Sequence, residues 1–270
     1  MEFTQYGCSA GHPVIYFHGV PGSPLESAIF DAPARMQGLR ILSFDRFAIA
    51  PSLGGADYYQ HIAHLIDKTL QGAPADFIGF SLGAHAALEV SALMPGQVRC
   101  LHLISAAAPL DAGNFLDGMA GKAVFSLATL NPTLFHWLAR WQALLARRAP
   151  RLLFGALFAS ACSGDRALVK DPAFRALICR VLRNGFAHGT AGYMRDIHHY
   201  LQPWSTEVFD GAASVCLWHG TQDNWSPFAM STYLAERMAQ KARLERMNGL
   251  SHYSCLYAAA PRICARLANA

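Results

Sequence analysis

The sequence predicts an α/β fold, in which a mostly parallel β-sheet is flanked by helices and an inserted helical lid covers one end. Two observations carry this prediction. Short apolar runs bounded by turns alternate with helix-like segments, which is typical of a parallel sheet covered on both faces. A long stretch after the fourth run, rich in Leu, Phe, Ala, Trp and Arg, shows no strand pattern. With 53% hydrophobic residues in a chain of 270, a large core can be buried.

Six apolar runs should form the sheet, and a further strand at residues 2–6 could lie at its edge. The runs cover residues 13–17, 39–44, 75–80, 98–105, 213–220 and 242–247. Helical spacing of apolar residues marks 58–70, 227–239 and 254–268. We therefore expect residues 1–109 and 206–270 to form the α/β core and residues 110–205 to form the helical lid.

The third run leads into "GFSLG", and a helix-like segment follows it. A serine hydroxyl is a weak nucleophile and must stand clear of its neighbours, so that a base can remove its proton. A sharp strand-to-helix turn exposes the hydroxyl, and small residues two positions before and after it let strand and helix pass closely. Gly79, Ser81 and Gly83 meet this requirement, which makes Ser81 the candidate nucleophile.

Polar residues that could serve Ser81 follow other predicted strands. In open parallel sheets, ligands bind beyond the carboxyl ends of the strands. Asp223, in "HGTQDNWSP", follows the fifth run, and His252, in "GLSHYS", follows the sixth. Asp111, just after the fourth run, could replace Asp223 as the acid. The first run ends in "HGVPGS", which can offer the backbone N–H of Val20 to a ligand.

Four motifs occur in the chain in the order "HGVPGS", "GFSLG", "HGTQDNWSP" and "LSHYS". Together they resemble the α/β-hydrolases, specifically the lid-bearing branch of proline iminopeptidases and meta-cleavage hydrolases. The resemblance covers nearly the whole chain. It implies that Ser81 is the nucleophile, that His252 is the base, and that Asp223 orients the imidazole. It also implies that the backbone N–H groups of Val20 and Leu82 form the oxyanion hole. A serine at the elbow argues against the epoxide hydrolases and haloalkane dehalogenases of this fold.

Two segments depart from the family pattern. After the second strand, relatives carry a glycine-rich loop, but this chain has "DRFAIAPS", which keeps Asp45 and Arg46 and lacks the glycines. The histidine segment has Leu250 and Ser251 where relatives often have a small residue followed by glycine. Neither change removes a chemical group from the mechanism, but the loop shape at the pocket mouth cannot be copied from relatives.

We expect a serine hydrolase that cleaves a small, largely apolar carboxylic ester or lactone through an acyl-enzyme. Three other uses of the same machinery stay open, namely C–C bond hydrolysis, aminopeptidase activity and acyl transfer. A non-catalytic small-molecule receptor on this scaffold is a further alternative. An apolar acyl or aryl group suits the aromatic lid, in which Trp137, Trp141 and Phe158 are candidate substrate-binding residues.

The sequence gives no sign of a cofactor, a metal site or a nucleic-acid partner, since it has no dinucleotide fingerprint, phosphate loop or metal-ligand spacing. The seven cysteines form no C-x-x-C pair and are expected to be reduced thiols in the cytoplasm. No signal peptide is expected, since the opening "MEFTQYGCSAGHP" has no basic start and no apolar stretch. No transmembrane segment is expected either, since the longest apolar stretch, 152–162, is too short to span a bilayer. No oligomeric state is indicated.

The lid is basic. Residues 110–205 contain 11 of the 22 Lys and Arg residues but only 5 of the 18 acidic residues. Within 139–151, helical spacing places Trp141, Leu144 and Leu145 near one face, and we expect this face to pack inward with the arginines in solvent. Alternatively, the positive lid attracts amphiphilic anions or an acidic membrane surface.

Overall fold

A computed structural model describes residues 2–269, which contain one seven-stranded sheet. The strand order is β1-β3-β2-β4-β5-β6-β7, and only β1 runs antiparallel to its neighbour. The predicted mostly parallel sheet, including the edge strand, is confirmed. The strands are β1 (Phe3–Gly7), β2 (His12–Phe17), β3 (Leu39–Phe44), β4 (Ala75–Phe80), β5 (Val98–Ile104), β6 (Ser214–Gly220) and β7 (Ala242–Met247).

Eleven α-helices accompany the sheet within the described residues. Those of the core cover both of its faces, as the predicted α/β architecture requires. Their bounds are α1 (Asp31–Met36), α2 (Gly55–Leu70), α3 (Gly83–Ala92), α4 (Lys122–Leu130), α5 (Pro132–Arg148), α6 (Pro150–Leu157), α7 (Ser163–Lys170), α8 (Pro172–Gly185), α9 (Ala191–Leu201), α10 (Phe228–Met238) and α11 (His252–Ala268).

The central strands are buried along nearly their whole length, because helices pack on both sides of the sheet. Every residue of β4 is buried, and Val14 to Phe17 of β2 are fully inaccessible. Parallel pairing brings the carboxyl ends of β2, β4, β5, β6 and β7 to one edge. The loops that follow these strands therefore meet at that edge, where ligands bind in open parallel sheets.

Six helices, α4 to α9, lie between β5 and β6 and form what we call the helical insertion, residues 110–205. The dipeptides "NP", "AP" and "DP" each mark the start of a helix, with proline at the first helical position. Proline suits this position because its missing N–H would have no partner there. The side chains of Asn131 and Asp171 complete two of these starts by accepting backbone N–H bonds.

A fully buried ion pair anchors the helical insertion to the core. The Arg46 guanidinium donates to Asp196 Oδ2 through Nε (3.0 Å) and Nη2 (2.9 Å), and the hydroxyl of Tyr58 donates to Asp196 Oδ1 (2.9 Å). Arg46 Nη1 also donates to the carbonyl oxygen of His18 (2.8 Å). Arg46 thus connects α9 to the turn after β2, and it lies in the loop that lacks the family's glycines.

Among residues 2–269, none of the helices combines the length and the apolar character that crossing a bilayer requires.

Candidate active site

Ser81 lies at a sharp turn between β4 and α3, with its backbone in the left-handed region at φ 57°. Its N–H donates to the carbonyl oxygen of Ile104 (3.0 Å), which fixes the turn against β5. A Cβ at Gly79 would lie 2.6 Å from Ala84 Cα, and one at Gly83 would collide with the carbonyl groups that end β2. The two glycines therefore permit the close strand–helix approach that the elbow needs.

Asp223 and His252 form a buried pair at the carboxyl ends of β6 and β7. His252 Nδ1 lies 2.8 Å from Asp223 Oδ2, and Asp223 Oδ1 accepts the backbone N–H groups of Trp225 (2.8 Å) and Ser226 (2.9 Å). Burial by itself raises the pKa of Asp223, but the hydrogen bond to His252 and the charge of its imidazolium form oppose it and hold that pKa below its ordinary value. The carboxylate is therefore ionised and holds the imidazole.

Asp111, the alternative acid, is exposed in a short 3₁₀ turn. It borders a surface cleft with Trp204 and Arg237, apart from the cavity beside Ser81. The structure thus joins Asp223, rather than Asp111, to His252.

His219 supports the Asp223 loop from within the core. Its Nε2 donates to the carbonyl oxygen of Ser226 (2.7 Å) and lies 3.5 Å from Asp223 Oδ2, while Nδ1 contacts the hydroxyl of Ser231. Burial lowers the pKa of His219, so the ring is neutral at physiological pH. His219 therefore has a structural role, since its buried ring holds the loop that carries Asp223.

The candidate base sits between two aromatic rings. The Trp225 indole stacks on the His252 ring with a centroid distance of 5.4 Å and an interplanar angle of 13°, and the Phe80 ring lies 4.8 Å away. Phe80 directly precedes Ser81, so this contact brings His252 next to the elbow. The structure shows no hydrogen bond between the Ser81 and His252 side chains within residues 2–269. That step of the triad stays a prediction, and such bonds often tighten only when substrate binds.

Asp165, a residue of the helical insertion, caps the helix that carries His252. Its carboxylate accepts the backbone N–H groups of Tyr253 (3.2 Å) and Ser254 (2.7 Å) in the first turn of α11. The side chain is fully buried. The sequence analysis did not identify this contact, because Asp165 lies 88 and 89 positions before the two residues that it caps.

The turn after β2, which holds the candidate oxyanion donor Val20, is fixed by a buried glutamate. Glu26 Oε2 accepts the backbone N–H of Gly19 (2.8 Å) and the hydroxyl of Tyr16 (3.0 Å). His18 Nδ1 donates to the carbonyl oxygen of Gly19 (2.8 Å) and so helps to shape this turn. Burial outweighs these hydrogen bonds and raises the pKa of Glu26 to about 7.

Ser81 lines a partly open cavity of about 70 Å³. Val20 and Leu82, whose N–H groups are the candidate oxyanion donors, border this cavity, and Gln142 supplies an amide. Gln142 Oε1 is buried and has no hydrogen-bond partner within the described residues. The other walls are mainly apolar, and the lining consists of Val20, Pro21, Ser81, Leu82, Met119, Gly121, Val124, Phe125, Gln142, Leu157, Tyr193, Ile197, Trp225 and Ser226.

The three aromatic residues expected to bind substrate lie elsewhere. Trp137 and Trp141 are largely exposed and border a separate surface cleft. Phe158 is buried against Trp225 and Tyr253, behind the cavity, and its neighbour Leu157 lines the cavity instead. Of the three α5 residues expected to pack inward, Trp141 and Leu144 point outward, while Leu145 is half-buried and packs against the core. The helix packs through its smaller residues, a choice that apolar periodicity alone does not reveal.

One cluster within residues 2–269 has the spacing to hold a metal ion, namely Cys100, His102 and Cys216 on β5 and β6. His102 Nδ1 accepts the indole N–H of Trp218 (3.0 Å), which places the imidazole proton on Nε2, the nitrogen that faces Cys100. Arg266 donates to Cys216 Sγ (3.1 Å). The hydrogen bonds of these side chains are therefore made within the protein. A protonated ring nitrogen and a nearby guanidinium are unsuited to binding a metal cation.

Many solved structures share this architecture at low sequence identity. A bromoperoxidase from Bacillus anthracis is 15% identical, with a TM-score of 0.69 over 98% of this chain and 93% of its own. An enol-lactonase from Burkholderia xenovorans is 15% identical, with a TM-score of 0.68 over 99% of this chain and 95% of its own. An esterase from Exiguobacterium antarcticum is 15% identical, with a TM-score of 0.65 over the same shares. These similarities show the fold.

No curated protein sequence matches this chain. Residues 14–267, from β2 almost to the end of α11, match the sequence model of the alpha/beta hydrolase family. That range includes the elbow, the Asp223 loop, the start of α11 and the whole helical insertion. The chain belongs to the alpha/beta hydrolase family.

Proposed function

We propose that this protein is a serine hydrolase that cleaves small, largely apolar carboxylic esters or lactones through an acyl-enzyme on Ser81. The observation that carries the proposal is the buried Asp223–His252 pair, joined at 2.8 Å, whose imidazole contacts Phe80. Phe80 directly precedes Ser81, which is held in a left-handed turn at the wall of an apolar cavity. If Ser81 were only a turn residue, neither the buried pair nor the apolar cavity would be required.

In the proposed reaction, His252 Nε2 removes the proton of Ser81 Oγ as this oxygen attacks the substrate carbonyl carbon. The negative charge that develops on the carbonyl oxygen is stabilised by the N–H groups of Val20 and Leu82, and Leu82 also gains from the positive end of the α3 dipole. The imidazolium then donates its proton to the leaving alcohol oxygen as the C–O bond breaks. Water releases the acid in a second, equivalent step, while Asp223 holds the imidazole throughout.

The cavity favours a short, uncharged acyl group. Its volume of about 70 Å³ accommodates only a few heavy atoms before the walls must move. No acidic residue occurs among its lining residues, so the ammonium group of a peptide N-terminus would lack a partner there. The buried amide of Gln142 can bind a polar atom of the substrate and orient it. We propose that the helical insertion acts as the lid that closes this cavity.

Two structurally similar proteins support this choice of bond. One is described as an esterase and another as an enol-lactonase, and both cover nearly the whole chain. Their low identity does not transfer a substrate, so the ester and lactone classes are both kept within the proposal.

The test is hydrolysis of p-nitrophenyl acetate, butyrate and octanoate by the wild type and two variants. We expect kcat/KM to be highest for acetate or butyrate and about tenfold or more lower for octanoate, because the longer chain exceeds the cavity. Ser81→Ala should lose about four to six orders of magnitude in kcat. Ser226→Ala, which changes another serine of the same cavity, is the matched control and should keep most activity.

Retention of a tenth of the activity by Ser81→Ala would mean that another nucleophile acts. Absence of turnover on esters and lactones alike, with ligand binding intact, would favour the receptor alternative. Faster release of p-nitroaniline from amino-acid anilides than of p-nitrophenol from esters would favour an aminopeptidase.

A further inference from the structure

The outer face of α5 carries large apolar side chains that no part of the described structure covers. We call Leu130, Leu134, Trp137, Trp141 and Leu144 the Leu–Trp face. The spacing of three, four and three residues from Leu134 to Leu144 places these four side chains on one side of α5. Leu130 is the last residue of α4, directly before the break at Asn131. Their exposed fractions are 82% for Leu130, 52% for Leu134, 63% for Trp137, 57% for Trp141 and 45% for Leu144.

The opposite side of α5 already holds the helix to the protein. Phe135, Ala139, Gln142, Ala143 and Ala146 are buried there. Packing through mostly small residues brings the helix close to its neighbours and leaves its largest apolar side chains in water. A single exposed leucine needs no explanation, but a contiguous apolar stripe with two tryptophans is typical of an interaction surface.

Arginines lie beside the Leu–Trp face. The stretch 118–164, which contains this face, has five cationic residues and no Asp or Glu, and one of the five, Lys122, pairs with Asp117 (2.6 Å) just before the stretch. Arg140 and Arg148 are exposed on α5, and the Arg140 guanidinium lies 5.9 Å from the centroid of the Trp137 ring. A surface cleft of about 510 Å³ combines both tryptophans with Arg140, Arg147 and Arg148. The cationic residues of the segment are Lys122, Arg140, Arg147, Arg148 and Arg151.

We propose that the Leu–Trp face docks on an anionic lipid bilayer, with α5 lying in the plane of the interface. A helix with apolar and aromatic residues on one face and arginines beside them has the composition of an interfacial helix. Tryptophan rings settle at the headgroup level, and arginines bind phosphate in pairs of hydrogen bonds while their methylene groups stay on the apolar side. The absence of acidic residues in 118–164 suits an anionic surface.

A second copy of this chain is a poorer occupant. A two-fold symmetric contact would bring the same cationic residues of both copies together, with no carboxylates of that segment to pair with them. The docking proposal goes beyond the proposed hydrolase activity and does not depend on it.

The test is co-sedimentation of the full chain with two kinds of vesicle, phosphatidylcholine alone and phosphatidylcholine with 30 mol% phosphatidylglycerol. At 0.05 M NaCl, we expect binding to the anionic vesicles and a partition coefficient about tenfold or more lower on the neutral ones. Raising NaCl to 0.5 M shortens the Debye length from roughly 14 to 4 Å and should weaken the anionic binding by a similar factor. Tryptophan emission should shift to the blue on binding, because Trp137 and Trp141 leave water.

Two variants test the two components of the surface. Trp137→Ser/Trp141→Ser should lose the emission shift and most binding to anionic vesicles. Its matched control is Met36→Ser/Leu93→Ser, which changes two exposed apolar residues of the core. Arg140→Glu/Arg148→Glu should weaken anionic binding by about tenfold or more. Lys68→Glu/Arg262→Glu, with the same change in net charge outside residues 118–164, should bind like the wild type.

Circular dichroism and thermal unfolding verify that each variant is folded. Equal binding to both vesicle types, or none to either, would overturn the proposal. It would also be overturned if the wild type self-associated in sedimentation experiments and the tryptophan variant did not, since the face would then belong to a second copy. Equal loss in the Lys68→Glu/Arg262→Glu control would reduce the effect to net charge and contradict the assignment to α5.

Discussion

Asp165 Oδ1 accepts a hydrogen bond of 2.7 Å from the backbone N–H of Ser254, two residues after the candidate base His252. The contact joins the helical insertion to the first turn of α11, where unpaired N–H groups and the positive end of the helix dipole favour a carboxylate. The insertion therefore helps to fix the first turn of α11, which carries the imidazole, and several of its residues also line the cavity.

We predict that Asp165→Ala lowers kcat for a short ester by about ten- to a hundredfold, because small displacements of a catalytic group are costly. It should also lower the free energy of unfolding by about 1–2 kcal/mol through loss of the cap. Asp165→Asn should recover part of both, since an amide oxygen still accepts an N–H. Asp171→Ala, which removes a similar cap from α8, should affect urea unfolding and leave kcat near the wild-type value.

Replacement of the two candidate acids distinguishes their roles. Asp223→Ala should reduce kcat by about four orders of magnitude, because the imidazole loses its orientation and the partner of its charged form. Asp111→Ala should change kcat by less than about twofold, because this exposed side chain has no contact with His252. Steady-state kinetics on one ester measures both variants, and a larger loss in Asp111→Ala would reverse the assignment.

Replacing only one partner of the buried Arg46–Asp196 pair should lower the free energy of unfolding strongly. Arg46→Met removes the two guanidinium hydrogen bonds of the buried Asp196 carboxylate and leaves only the more distant Arg195 Nε, 3.9 Å from Oδ1, as a cation. Breaking a buried pair on one side typically costs about 3–5 kcal/mol in the free energy of unfolding, and we expect a loss near the lower end of that range. Arg46→Met/Asp196→Leu removes both charges and should be the more stable of the two variants in urea unfolding. If the double variant were no more stable than Arg46→Met, the ion pair would not be the source of the loss.

Glu26 should make stability depend on pH. Its pKa rises on folding from 4.5 to about 7, so the folded protein holds the proton more tightly than the unfolded chain. Stability from this residue is therefore lost as pH rises from about 4.5 through 7 and stays low above it. Glu26→Gln keeps an oxygen for Gly19 and Tyr16 and removes the titration.

Urea unfolding from pH 4.5 to 8 tests this expectation. Relative to the wild type, Glu26→Gln should gain stability as pH rises, by up to about 3 kcal/mol. A difference that stays constant with pH, or that falls, would mean that Glu26 does not hold a proton in the folded state.

The sequence predicts the sheet and the elbow because both depend on local patterns. Short apolar runs that lie between turns and alternate with helical patterns are typical of buried strands of a parallel sheet. The glycines around Ser81 allow a strand–helix approach that no larger residue permits. The placement of His252 after the last strand follows from the topology of a parallel sheet. Asp223 and Asp111 could not be separated in this way, because both follow strands that end at the same edge.

Contacts of the helical insertion could not be predicted, because they depend on how helices pack. Asp165 caps the backbone N–H groups of Tyr253 and Ser254, which follow it by 88 and 89 positions in the chain. In the sequence, only a single carboxylate near the start of a helix indicates this contact. Helical spacing finds the two faces of α5, but it does not tell which one is buried. The large side chains, Trp137 and Trp141 among them, lie outside, because alanines on the other face allow closer packing.

The central claim is that Ser81 is the nucleophile, and covalent labelling tests it most directly. A fluorophosphonate loses fluoride to an activated serine and leaves a phosphonyl ester on its oxygen, which mass spectrometry of peptides assigns to one residue. We expect a single adduct on Ser81, absent from Ser81→Ala and retained in Ser226→Ala. An adduct on Ser105, Ser226 or any other residue, or equal labelling of Ser81→Ala, would contradict the account.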